Sequence, residues 1–211
     1  MLRLHLFRHG ESAANAGLVT SQPDAIPLTV RGEQQVYDLA ANLPFRPDLI
    51  LCSPFLRARQ SAEPCCARFA SVPLLIRPIQ EFTYLAPARC QHSDAAQRRP
   101  WVEAYWQQAD PHYVDGDGAE SFIALLTRVR RLLLELQHSD AERVALFGHG
   151  QFMQALRWHL DHAVPLHAEH WQPERIGHEQ MRAFRHYDLA HPIANATGFA
   201  CRWSLAGWRL G

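Results

Sequence analysis

The stretch Leu2-Arg3-Leu4-His5-Leu6-Phe7, running straight into Arg8-His9-Gly10-Glu11, decides how the chain is read. It has the character of a short strand that stops abruptly on charge and glycine. Two further apolar runs stop in the same way. Asp48-Leu49-Ile50-Leu51-Cys52 meets Ser53-Pro54 and then Arg57, and Val144-Ala145-Leu146-Phe147 meets Gly148-His149-Gly150. Helical periodicity lies between the runs. From Arg31 to Leu43, Val36, Leu39, Ala40 and Leu43 share one face behind Thr29, which is placed to cap it. From Glu120 to Gln137, apolar residues from Phe122 to Leu136 recur at three and four, the pattern of a helix packed on a core. A further helix is expected over Phe152 to Leu160. Strands alternating with helices predict an α/β fold: a three-layer sandwich with a mostly parallel central sheet flanked by helices.

Parallel strands would bring their C-terminal ends to one edge of the sheet, where α/β proteins bind ligands. Arg8, His9, Arg57 and His149 would then surround one crevice. Such a crevice suits a dianion, because arginine supplies forked planar donors and imidazoles add further N–H groups. Gly10 and Gly150 leave room for backbone N–H groups to approach phosphate oxygens.

Composition narrows the classes. With 211 residues, 47% of them apolar, the chain is long enough for one domain over 1–211. The 21 basic residues are all arginine and are balanced by 21 acidic ones, so no basic stripe of the nucleic-acid type is present. The N-terminal run is too brief for a signal peptide, and no segment approaches the roughly 18 apolar residues of a membrane span. A soluble, cytoplasmic protein without nucleic-acid or membrane partners is expected. Five cysteines without C-x-x-C spacing suggest neither a disulfide framework nor a zinc site.

The stretch from Phe82 to Gly118, rich in proline and glycine, reads as an insertion of about 82–118 with a helix near Trp101 to Gln107. As a cover over the catalytic edge it would place Tyr84, Arg89, His92, Arg98, Arg99, Trp101, Tyr105 and Trp106 where substrate preference is set. Asp115-Gly116-Asp117-Gly118 begins like a calcium loop but lacks the later acidic positions, and reads as a turn. His159 and His162, and then His167 and His170, are each three apart. Pro165 separates the pairs and nothing closes a tetrahedral set, so surface histidines and no metal site are expected.

Four motifs in order resemble the histidine phosphatase superfamily, also called phosphoglycerate mutase-like. They are Arg8-His9-Gly10-Glu11-Ser12 with Asn15, Pro27-Leu28-Thr29 with Gly32, Ser53-Pro54 with Arg57 and Gln60-Ser61-Ala62, and Gly148-His149-Gly150. The resemblance implies that His9 is a nucleophile that becomes phosphorylated, that Arg8 and Arg57 clamp the phosphoryl oxygens, and that His149 and Asn15 donate to them. It implies Glu81 as proton donor and sets Glu120 near the pocket as a candidate substrate- or phosphate-binding residue. Gly150, for the room it leaves at the crevice, and Tyr84, as part of the cover, are further candidate binding residues. No cofactor is required when arginine and histidine offset the phosphoryl charge. A small phosphorylated metabolite is the expected partner, and a homodimer is compatible with the reading.

Taken singly, Arg57 would read as a surface charge and Glu81 as a capping carboxylate; their company changes that. A phosphoglycerate mutase is the nearest alternative. Mutases resemble one another in a stretch of the type E-R-H-Y-G followed by a lysine. This chain has Glu81-Phe82-Thr83-Tyr84-Leu85-Ala86-Pro87 and no lysine, which favours a phosphatase. A non-catalytic binding protein on the same fold is disfavoured, because every expected catalytic position is present.

Overall fold

The computed structural model describes residues 1–162 and 172–211. Six strands form one sheet in the order β3-β2-β4-β1-β5-β6. They are β1 (Leu2–Arg8), β2 (Leu49–Cys52), β3 (Leu74–Ile76), β4 (Arg143–Gly148), β5 (Gly198–Ser204) and β6 (Gly207–Leu210). The pairs β1–β4, β4–β2 and β2–β3 are parallel, so the three runs read from the sequence are the centre of the sheet. The sheet is nevertheless mixed, because β5 pairs antiparallel with β1 and β6 antiparallel with β5.

Side chains alternate across the central strands and divide the core in two. On one face Leu4, Leu6, Leu51, Val144 and Leu146 pack with α5 (Phe122–Gln137), α6 (Gly150–Asp161) and α7 (His178–Ala190). On the other, Ile50, Cys52, Ala145 and Phe147 pack with Ala40 of α1 (Val30–Ala41) and with Ala58, Ala62 and Cys65 of α2 (Leu56–Arg68). Thr29 caps α1 by accepting from the Gly32 N–H at 3.0 Å. Ser121 caps α5 in the same way. No helix among the described residues is long and apolar enough to cross a membrane, and the five cysteines are free thiols.

Residues 82–118 carry α3 (Pro87–Cys90) and α4 (Ala95–Gln108). α4 begins earlier than its apolar pattern suggests, because Asp94 and Gln97 form a reciprocal cap that starts the helix ahead of Pro100. The Asp115 carboxylate accepts from the Ala86 N–H at 2.9 Å, from Arg89 at 2.7 Å and from the Tyr113 hydroxyl at 3.1 Å. That turn therefore staples the insertion to itself.

Candidate active site

Strand register brings the chemistry to one level. Arg8 lies beside Gly148 and Cys52 beside Phe147, so His9, Ser53 and His149, which follow these strands, emerge together at the C-terminal edge. His149 is also the N-cap residue of α6. The turn after β1 is packed so tightly that only glycine fits. A Cβ on Gly10 would sit 2.4 Å from the Gly32 carbonyl oxygen, and one on Gly32 would sit 2.0 Å from that of Glu11. Thr29 and Gln35 hold the same turn through the Glu11 carboxylate and N–H, and Ser61 accepts from the Gly10 N–H at 3.1 Å. The residues between the charged positions of the motifs thus serve to lock the His9 turn.

His9 is buried, and its Nδ1 lies 2.6 Å from the Gly10 carbonyl. A carbonyl can only accept, so Nδ1 carries the proton and Nε2 the lone pair. Arg57 donates its Nε–H to that lone pair at 3.2 Å and anchors its Nη1 on the Pro23 carbonyl at 2.6 Å. Burial, then the Arg57 charge, opposed by the Gly10 hydrogen bond and aided by Arg8, pushes the His9 pKa down to about 3. His9 is therefore neutral at pH 7.

His149 has its ring centre 5.2 Å from that of His9, and its Nε2 is 2.7 Å from Ser53 Oγ. Burial, followed by Arg57, His9, Arg128 and Arg8, holds it well below the ordinary imidazole range. Its Nδ1 is buried without a hydrogen-bond partner among the described residues, as is Arg8 Nε, although Arg8 Nη1 donates to the Ile193 carbonyl at 2.7 Å. Gly150 gives Arg8 its space: a Cβ there would lie 3.5 Å from Arg8 Nε.

Glu81 reaches the N-terminus of α6. Its Oε1 accepts from the N–H groups of Gln151 at 3.0 Å, Phe152 at 3.2 Å and Phe82 at 3.1 Å. Burial raises its pKa, against the pull of Arg57, the Phe82 N–H, Arg8 and the Phe152 N–H. Beside it opens a cavity of about 200 Å³ lined by Arg57, Glu81, Tyr84 and Arg98, with Phe55, Phe82, Leu85 and Val102 among its apolar walls.

A family model described as the histidine phosphatase superfamily (branch 1) matches residues 4–187. The chain belongs to that superfamily. This histidine phosphatase is 31% identical over 146 residues to the adenosylcobalamin/alpha-ribazole phosphatase of Escherichia coli K12, covering 65% of this chain and 69% of that protein. It is 31% identical over 158 residues to the protein of the same name from Salmonella typhimurium LT2, covering 70% and 74%. Among solved structures, mycobacterial glucosyl-3-phosphoglycerate phosphatase superposes with a TM-score of 0.72 at 23% identity, covering 100% of this chain and 98% of that one. The alpha-ribazole phosphatase of Shigella flexneri gives 0.70 at 21%, covering 100% and 95%. These likenesses make the protein a phosphoric monoester hydrolase on an α/β fold.

The histidine phosphatase fold gathers Arg8, His9, Arg57, Glu81 and His149 and sets Tyr84 in the adjoining wall. Asn15 lies beside the His9 turn: its Oδ1 accepts from Ser12 N–H, Ser12 Oγ and Asn195 Nδ2, and Asn195 also donates to the His9 carbonyl at 3.0 Å. Glu120 differs from expectation. Its carboxylate is committed to Arg128 at 2.5 and 2.9 Å and is not presented to a phosphate. The cover also divides. Tyr84 and Arg98 line the cavity, whereas Arg89 pairs with Asp115, Arg99 with Glu103, and Tyr105 and Trp106 are core. His92 meets Ser21, and Trp101 lies under Arg89.

The expectation that the C-terminal histidines lie on the surface is corrected for His159, which is buried on the inner face of α6. His162 stacks on Trp158, and His167 and His170 lie outside the described residues. The positioning parts played by Ser53, Ser61 and Asn195 were not readable in advance. Ser53 and Ser61 stood inside motifs without a stated task, and Asn195 had no motif.

Proposed function

We propose that the protein hydrolyses a small phosphomonoester through a phosphohistidine on His9, with Glu81 as general acid and then general base. The observation that carries this reading is a neutral, tautomer-fixed imidazole flanked by two buried nitrogens that have no hydrogen-bond partner among the described residues, Arg8 Nε and His149 Nδ1. Buried polar groups are normally paired, and a phosphoryl group held at His9 would accept from Arg8 Nε–H and, with His149 in its Nδ1–H tautomer, from that nitrogen too. The substrate's oxygens would also draw the Arg57 Nε–H away from His9, freeing the Nε2 lone pair to attack phosphorus. The bond from phosphorus to the alcohol oxygen breaks as Glu81 gives that oxygen its proton. Charge accumulating on the ring is met at Nδ1–H by the Gly10 carbonyl. Glu81, now ionised, takes a proton from water, whose oxygen attacks phosphorus. The P–N bond breaks, and phosphate leaves.

Three arginine and histidine donors on different elements offset the phosphoryl charge, so the reaction needs no metal. The cavity sets Thr83, Tyr84 and Arg98 against an apolar wall of Phe55, Phe82, Leu85 and Val102, and so suits an alcohol that carries both hydroxyls and a flat apolar body. A nucleotide-like ester fits that description and agrees with the alpha-ribazole named for the relatives. The five free thiols accord with a cytoplasmic enzyme of small metabolites.

Acid-sensitive, base-stable phosphate should be recovered on His9 when turnover is quenched, in EDTA as well as without it. His9→Ala should abolish both labelling and phosphate release. Label on another residue, or substantial turnover by His9→Ala, would overturn the mechanism.

A further inference from the structure

Glu81 is held from behind as well as from the pocket side. Arg128 of α5 donates Nη1 to the Pro78 carbonyl at 2.8 Å, and both Nη1 and Nη2 reach the Gln80 carbonyl at 3.2 Å. Its Nε and Nη2 form a two-point pair with Glu120 at 2.9 and 2.5 Å. Glu120 continues the grip past Glu81. Its Oε1 accepts from the Thr83 N–H at 3.4 Å, and its own N–H donates to the Thr83 carbonyl at 2.9 Å. The peptides on either side of Glu81 are thus fixed by one ion pair. The same guanidinium lies 5.2 Å over the ring of Phe152, whose N–H is one of the three donors to Glu81 Oε1. Both side chains are largely buried, 14% and 17% exposed, so the pair is well shielded from solvent.

We propose that Arg128 and Glu120 are positioning residues for the proton donor, holding Pro78 to Thr83 so that Glu81 Oε2, which no residue of the described chain binds, faces the departing oxygen. The inference rests on Glu81 being that donor. A two-point pair is also nearly neutral at a distance, so it steadies Glu81 without placing a net charge behind it. That matters because Glu81 already faces Arg57 from α2, Arg8 from β1, the N–H groups of Phe82, Gln151 and Phe152, and the Tyr84 phenol. A third unbalanced cation would favour its ionised form and remove the proton it must give.

The test compares an alkyl phosphate with p-nitrophenyl phosphate, whose leaving anion needs no proton. Arg128→Met should lower kcat on the alkyl ester by on the order of 10²-fold, the loss expected from a misplacement of about 1 Å, while largely sparing the aryl ester. Arg128→Lys, which keeps the charge but cannot span both carbonyls and the carboxylate, should fall between wild type and Arg128→Met. Glu120→Gln keeps an acceptor for the Thr83 N–H and serves where Arg128→Met does not fold. The high-pH limb of the alkyl rate should move in opposite directions: down in Glu120→Gln, which leaves a bare cation, and up in Arg128→Met, which leaves a bare carboxylate. Equal losses on the two esters, or limbs that stay put or move together, would overturn the proposal. Glu81→Gln is run beside them. Ester selectivity there but not in the pair variants refutes the positioning role alone, and its absence everywhere refutes the acid role and the positioning with it.

Discussion

At the scale of single residues, the nucleophile is prepared by burial and by one carbonyl. Because the His9 pKa is pushed down to about 3, the ring should stay neutral from pH 8 to pH 5, and its NMR signals in the free enzyme should not titrate over that range. A midpoint near 6.5 would mean that the site is wetter than its packing and that Nδ1 is not held by Gly10. Which charged residues meet was legible in the sequence, because Arg8, His9, Arg57 and His149 stand at or just after the ends of apolar runs. Glu120 was harder to read. A carboxylate declares its role through its partner, and Arg128 lies two helical turns further along α5, on a face whose orientation only the packed structure fixes.

At the scale of elements, the central strands and the long helices were legible because each carries a strong apolar period. β3 is three residues long, and β5 and β6 form a hairpin of mixed polarity, so their patterns were too short to separate from loops. α7 fully buries only Met181 and Phe184, so its inward face is narrow. The hairpin matters to the site, since the loop before it supplies Ile193 to Arg8 and Asn195 to His9. The cover was foreseen as a span, but not which of its faces looks inward. α4 presents Arg98 and Val102, four residues apart and therefore on one face, to the cavity. Val102→Asp should accordingly raise KM for aryl esters by roughly 10-fold or more, as an ionised carboxylate opposes an apolar ring, and change KM for glycerol phosphate much less. A uniform rise for both esters would place the alcohol elsewhere, and no rise for either would remove α4 from substrate binding.

For the whole molecule, three buried neutral imidazoles link the active site to stability. His9 is held at about 3, His159 at about 4 and His149 well below the ordinary value, in each case chiefly by burial. Unfolding releases all three to about 6.5, so below that pH the unfolded chain binds protons that the folded chain refuses. Their contribution is complete above pH 6.5. It is lost progressively on acidification, toward about 4 for His159 and about 3 for His9. Glu81 acts in the opposite sense, because its raised pKa lets the folded state hold a proton that the unfolded carboxylate has released. At about 1.4 kcal/mol per pH unit for each proton, the three imidazoles set an upper limit of about 4 kcal/mol lost per unit below pH 6.5, which Glu81 reduces. For a domain of this size that limit corresponds to roughly 8–16 °C in Tm per unit. Calorimetry between pH 7 and pH 5 should show a fall within it, and His159→Met, which removes one imidazole away from the reacting atoms, should make the slope shallower by about a third or more. A Tm indifferent to pH across that interval would mean that the folded protein protonates these rings as readily as the unfolded chain does. His9 would then be largely cationic in mild acid, without the lone pair that the proposed attack on phosphorus requires.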